Sequence, residues 1–334
     1  MKTRRMSGRA LLVTAAALAL AAGCSGGGGG ANAPGLEKTD LNVAVVPALD
    51  AAGFFVALYQ GLFRAQGLNV HFFPATSSET VIADQVAGKY DITGGNYVSY
   101  IQAQQRGEAS LDIIAEGSVM GSGAQGIYTM PNSPVKNLGD LRGHTIAINA
   151  PRNILYLLAA SVLAEHGISP GSVRFISDIP FPNMPGELKA GAIGAAVLPE
   201  PFASGAEEGE GVVPLVDLNQ GATTAFPVAG YVVTKQWAQR YPHTLAAFYK
   251  ALEEGQQIAD TSRAAVQDAM VDMPAPFGVS RVTAAVMALD SYPVSDGPVG
   301  TVDTVRLERV VHVMQQFIGF GPFNIGSMLM NGGR

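Results

Sequence analysis

LNVAVVPALDAAGFFVALYQGLFRAQGLNVHFF, residues 41–73, holds two kinds of periodicity in one short stretch. Leu41 to Val46 is a β-rich apolar run, Phe54, Leu58, Leu62 and Phe63 recur at helical spacing, and Asn69 to Phe73 is β-rich again. A strand, a helix and a strand in that order form a β-α-β unit, whose strands lie parallel because a helix carries the chain back. Further along, Val81, Ile82 and Val86 mark a helix that ends at Gly88, and Tyr90 to Thr93 a buried strand. Val98 and Ile101 mark another helix, and Leu111 to Ala115 another strand. The alternation predicts an α/β fold, a parallel sheet with helices on both faces.

A second block begins near Ile127-Tyr128-Thr129-Met130 and repeats the scheme. Thr145 to Ile148 reads as a strand, and Pro151 in a first-turn position opens a helix with Ile154, Leu157, Leu158, Val162 and Leu163 on its apolar side. Val173 to Ile176, Ala195 to Leu198, Val212 to Leu215 and Gly230 to Thr234 are further strands. The rest reads as helices over 243–262, 263–271, 280–289 and 303–318. A helical tail without strands must cover an existing sheet, most economically that of the first block. The expected architecture is two doubly wound lobes: a discontinuous one of residues 41–116 and 230–334, a continuous one of 117–229, and crossings near Glu116 and Ala229.

The chain has 334 residues, of which 48% are hydrophobic and 14% charged, ample for two apolar cores. A formal charge of −6 gives no basic footprint for nucleic acid. The N-terminus stands apart: Lys2, Arg4, Arg5 and Arg9 precede an uncharged run from Leu11 to Ala22, suited to a signal-peptide h-region and too short to span a bilayer. It leads into Ala21-Ala22-Gly23-Cys24, the only cysteine of the chain, followed by Gly26 to Gly30. Small residues before a lone cysteine resemble a bacterial lipoprotein processing site, with Ala21 where such sites usually carry Leu. That resemblance implies a signal peptide over 1–23, an acylated Cys24 and a flexible tether over 24–40 with a reach of roughly 23 Å. Losing the four basic leader residues takes the formal charge from −6 to −10.

The recognisable catalytic patterns fail on context. Gly121-Ser-Gly-Ala-Gln-Gly126 matches G-x-G-x-x-G, but a β-rich run follows it where a dinucleotide site needs a helix. Gly167-Ile-Ser169-Pro-Gly171 matches G-x-S-x-G, but a helix precedes and a strand follows, the reverse of a nucleophile elbow. His71, His144, His166, His243 and His312 show no zinc spacing. No metal or cofactor is implied.

Several ordered motifs carry a resemblance that spans about 41–320. They include Gly53-Phe54-Phe55, Gly61-Leu62-Phe63, Gly67-Leu68-Asn69-Val70 and Ala87-Gly88-Lys89-Tyr90-Asp91-Ile92. Later ones are Asn137-Leu138-Gly139-Asp140-Leu141-Arg142-Gly143, Glu187-Leu188-Lys189-Ala190-Gly191 and Leu198-Pro199-Glu200-Pro201-Phe202. In order and spacing the chain resembles the substrate-binding proteins of ABC importers for sulfonates, taurine, nitrate and the thiamine pyrimidine precursor. The resemblance implies the type II periplasmic-binding-protein fold with a ligand cleft between its lobes. It also implies a monomer outside the cytoplasm, held to the membrane by its lipid, whose partners are a small solute and the permease and ATPase of the importer.

In such a cleft, strand C-termini and helix N-termini from both lobes present unpaired N–H groups. The first-lobe candidates are Asp50, Gly53, Phe54, Ser77, Ser78, Gly95, Asn96 and Tyr97; the second-lobe candidates are Asn149, Arg152, Asn153, Phe181 and Glu200. Arg152 is the only basic side chain among them and suits a sulfonate-like anion, whereas Asp50, Glu200 and the aromatic rings suit a flat hydrogen-bond-donating heterocycle. The carboxylates tilt the expectation toward the heterocycle. Two other readings share the fold: a pyrimidine-synthase-like enzyme, which would need reactive His and Cys in the cleft, and an extracytoplasmic ligand sensor.

Overall fold

A computed structural model describes residues 35–287 and 302–330. The signal peptide, Cys24, the glycine run and the last residues of the 280–289 helix lie outside the described residues. Among the described residues ten strands form two five-stranded sheets. They are β1 (Asp40–Val45), β2 (Asn69–Pro74), β3 (Ile92–Asn96), β4 (Leu111–Val119), β5 (Gln125–Thr129), β6 (Thr145–Ala147), β7 (Arg174–Ile176), β8 (Ala195–Pro199), β9 (Val213–Asp217) and β10 (Pro227–Thr234). The first sheet has the order β2-β1-β3-β10-β4 and the second β7-β6-β8-β5-β9.

The expected all-parallel sheets are corrected to mixed ones. β1 runs parallel to β2 and β3, but β10 is antiparallel to both β3 and β4; β5 is likewise antiparallel to β8 and β9. The cause is the connection. Parallel strands end at the side facing the other lobe, so a chain that has just crossed can only enter the new sheet from that side, running backwards. β5 and β10 are the two strands that follow a crossing. The chain leaves the first sheet after Val119 and rejoins it at Pro227, so both strands extend a few residues past the expected crossings near Glu116 and Ala229.

The helical pattern after β1 forms two helices, Ala52–Tyr59 and Leu62–Ala65, broken at Gly61, whose φ of 77° ends the first. Phe54, Phe55 and Phe63 are buried in the first core with Phe248 of the tail. The tail helices Pro242–Thr261 and Arg263–Val271 cover Ala52–Tyr59, as expected. The next two do not. Arg281–Val286 packs between Arg263–Val271 and Phe202–Glu210 of the second block, with the Thr283 hydroxyl on Glu208. Thr304–Phe317 lies against both Tyr97–Gln105 and Ile154–Glu165. The tail therefore braces the second lobe as well as the first, because its apolar stripe (Leu307, Val310, Val311, Met314) meets helices from both.

The tether expectation shortens too. The Glu37 carboxylate accepts from His243 N (3.1 Å) and Thr244 N (2.9 Å), and Lys38 N donates to Thr244 Oγ1 (3.0 Å), so the chain is tied to the body before β1 begins at Asp40.

Asp91, from the Gly-Lys-Tyr-Asp motif, shows why that residue stands before β3. Its buried carboxylate accepts from Asn42 N (2.8 Å), Trp237 Nε1 (2.8 Å) and Lys38 Nζ (2.5 Å), joining β1, the tail and the N-terminal strap. Asp91→Ala would strand the buried Trp237 donor and the half-buried Asn42 N–H, and losing one partner of a buried charged set costs about 3–5 kcal/mol. Urea unfolding should show that loss as a lower midpoint at unchanged slope; a loss under ~1 kcal/mol would contradict this role.

Candidate functional site

A cavity of about 530 Å³, open mouth included, lies where the two sheets face each other. Its first-lobe wall comes from the end of β1 and the turn after it (Val46, Ala48, Asp50, Ala51), from Ser78, from Gly94-Gly95-Asn96 of β3, and from Ala229-Gly230-Tyr231 of β10. The second lobe adds Gln125 of β5, Asn149, Asn153, Ile154, Leu155, Phe181 and Pro199. Part of the first-lobe wall is glycine backbone, at Gly94, Gly95 and Gly230. A Cβ on Gly95 would stand 2.1 Å from Ser78 Oγ, and one on Gly230 would stand 2.5 Å from the Tyr97 ring. No side chain fits at either position.

Of the residues expected from sequence, Asp50, Ser78, Gly95, Asn96, Asn149, Asn153 and Phe181 line this cavity. Ser78 Oγ accepts from Asn96 N (2.9 Å) and Asn96 Nδ2 (3.0 Å), which orients the end of β3. Asn153 is the N-cap of helix Ile154–Glu165, accepting from Leu155 N (3.1 Å) and Tyr156 N (3.4 Å). The helix thus begins three residues after Pro151, which sits in the preceding turn. Asn149 Nδ2 donates across the lobes to Thr76 O (3.0 Å), and Leu49 N donates to Glu200 O (2.9 Å), so the cleft is closed in this structure.

Six expected residues lie elsewhere. Gly53 packs tightly on Gln256, and Phe54 is fully buried among Phe55, Phe63, Phe72 and Tyr231. Ser77 holds the N-cap position of Ser78–Val86 without a side-chain cap bond. Tyr97 is buried behind Gly230. The Glu200 carboxylate accepts from Ser204 N (3.1 Å) and Ser204 Oγ (2.7 Å), holding the start of helix Phe202–Glu210. Arg152, at a φ of 52°, donates Nη2 to Ile318 O (2.6 Å) at the end of Thr304–Phe317. Its guanidinium lies at a helix C-terminus, whose partial negative charge it complements.

The electrostatics therefore differ from the expectation of a cation in the cleft. No Lys, Arg or His is among the described residues that line the cavity. Asp50 is there, accepting only long bonds from Ser118 Oγ (3.4 Å) and Gln125 Nε2 (3.4 Å). Burial pushes its carboxyl up to about 6, offset in part by those two donors. Beside it, Gln125 is 1% exposed and its Oε1 has no hydrogen-bond partner. Gln125 was not among the expected residues, although a lone amide opening the apolar run Ile127-Tyr128 is a signal of a polar group facing something other than core.

Three comparisons place this geometry among known proteins. At 30% identity over 236 residues, the chain is similar to the bicarbonate transport ATP-binding protein CmpC of Synechocystis; the match covers 66% of this chain and 35% of CmpC. The chain thus spans about a third of the length of the curated relatives it matches. Among solved structures it is similar to the alkanesulfonate-binding protein SsuA from Xanthomonas axonopodis pv. citri, with a TM-score of 0.71 and 16% identity over 85% of this chain and 93% of that one. The periplasmic nitrate-binding protein NrtA from Synechocystis aligns with a TM-score of 0.70 and 16% identity, covering 88% and 85%. Likeness at that level shows the two-lobed periplasmic-binding-protein fold and leaves ligand and chemistry to the cavity itself. The model of the NMT1-like family matches residues 34–273, most of the chain. The chain belongs to the NMT1-like family.

Proposed function

We propose that this chain is the solute-binding component of an ABC importer, exported, lipid-anchored through Cys24, and delivering a small organic solute to a permease and its ATPase. The observation that carries the reading is the cavity, walled by both lobes and spanned by hydrogen bonds from one lobe to the other. Lobes joined by crossings at 120–124 and 218–226 can rotate about one axis, and a ligand touching both favours the closed state by its differential affinity. The wall favours capture over catalysis: it presents backbone, amides and a carboxylate, and its Ser78 hydroxyl is engaged by Asn96. The lobe division at 41–116, 117–229 and 230–334 is part of the same reading, as is a monomeric working state.

The test is a thermal-shift screen of sulfonates, taurine, nitrate, bicarbonate, pyrimidines and flavin-like heterocycles, since a ligand at a hundred times its Kd stabilises by about 2.7 kcal/mol. A binder should also shrink the radius of gyration seen by X-ray scattering. Scattering curves that coincide with and without a saturating ligand would count against lobe closure.

Anchoring is tested separately. Diacylglycerol on Cys24 would supply the two chains that stable attachment needs, at about 0.8 kcal/mol per buried CH₂. Cys24→Ser should move the protein from the membrane to the soluble fraction, and a mature N-terminus without lipid by mass spectrometry would remove the anchor.

Drawing Asp50 out of water carries a cost of its own. Well below pH 3.8 its carboxyl is neutral folded and unfolded, and burial adds no ionisation cost. As pH rises through 6 the folded protein must ionise it, and a rise from 3.8 to about 6 corresponds to a stability loss of ~3 kcal/mol above that window. Asp50→Asn, neutral throughout, should raise Tm far more at pH 8 than at pH 4, where little of the cost has accrued; an equal shift at both pH values would refute the ionisation argument.

A further inference from the structure

We infer that the ligand is a small planar cation of the amidinium or guanidinium class, held edge-on by Asp50 and Gln125. The inference deepens the solute-binding reading and rests on it. Asp50 and Gln125 face each other from the two lobes, Gln125 Nε2 to Asp50 Oδ2 at 3.4 Å, and both line the cavity. The Gln125 Oε1 acceptor is buried and unpartnered, and the Asp50 oxygens accept only long bonds. Two neighbouring acceptors in want of donors match two N–H groups on one planar carbon, the edge that amidines and guanidines present. Closing the lobes on such an edge would satisfy one acceptor from each lobe at once.

The charge follows from what surrounds the pair. Asp50 is partly buried, a carboxylate drawn out of water without a cation is costly, and among the described residues no basic side chain lines the cavity to offset it. Its carboxyl titrates near 6, so at neutral pH it is mostly ionised and attracts positive charge. The helix start that could have drawn an anion is already occupied, since Asn153 Oδ1 accepts the N–H groups of Leu155 and Tyr156. Arg152 is engaged at Ile318. Phe181, tilted on Phe202 with centroids 5.1 Å apart, gives the cavity an aromatic face on which a flat cation can lie.

Benzamidinium, benzamide and benzoate share one shape and carry charges of plus one, zero and minus one, so calorimetric titration of the three at pH 8 isolates charge. The full-length mature protein should bind benzamidinium at least tenfold more tightly than benzamide, and benzoate not measurably. Asp50→Asn should weaken benzamidinium by at least about thirtyfold, the usual scale for stripping one partner from a buried charge pair, while leaving benzamide within a few-fold. Gln125→Leu should weaken both donors by about tenfold. Asp50→Asn is expected to be a stable fold, which circular dichroism checks first. Benzoate binding most tightly, and more tightly still in Asp50→Asn, would replace the cation by an anion and leave solute binding intact. Benzamide equal to benzamidinium in both proteins would remove the charge requirement. No binding by any of the three would overturn the planar-cation class, whereas failure of the wider thermal-shift screen would count against solute binding itself.

Discussion

Insertion of β10, backwards, between β3 and β4 is the constraint on which the rest of the molecule hangs. It pairs with Gly94-Gly95-Asn96 on one side and with most of β4 on the other, so without it the first sheet would fall into two pieces. Its direction is dictated by arriving from the second lobe. Its position sets the return crossing beside the outgoing one, which follows β4, its immediate neighbour. Ala229-Gly230-Tyr231 consequently form part of the cavity wall, and sheet integrity and ligand site become one piece of backbone.

The tail qualifies the picture of two free lobes. Helix Thr304–Phe317 is fastened to the first lobe where Glu116 accepts from Asp303 N (2.7 Å) and pairs with Arg306 (3.2 Å). Arg309 reaches the return crossing, donating to Ala222 O (2.7 Å) and Thr224 O (2.6 Å). The same helix packs on Ile154–Glu165 of the second lobe. Any opening must slide that contact, which limits the rotation to what an apolar helix face tolerates without exposing Val310 and Met314.

Strands and helices were legible because apolar runs and helical spacing record burial, and burial is what the chain optimises. Strand direction was not, since β5 and β10 are buried on both faces and read alike either way along. The helix start was placed at Pro151 because proline suits a first turn, whereas the helix begins at Ile154 with Asn153 capping it through its side chain. Arg152 exposes a deeper limit: sequence places a Cα, but a long side chain chooses among every carbonyl within reach, and Ile318 is 166 residues away. Gln125 was passed over inside a glycine-rich loop motif, where its polarity looked ordinary; only its burial makes it informative.

The cavity's glycine-lined backbone bears on how ligand preference changes over time. Gly95 and Gly230 leave no room for a Cβ, so that part of the wall is closed to substitution and presents the same peptide groups whatever the cargo. Variation is confined to the few side chains around it, chiefly Asp50, Gln125, Asn149 and Phe181. Exchanging one of these alters charge or shape without disturbing the sheet that bears them. A scaffold divided in this way can trade one solute for another, even across a reversal of charge, by single mutational steps that keep every intermediate folded.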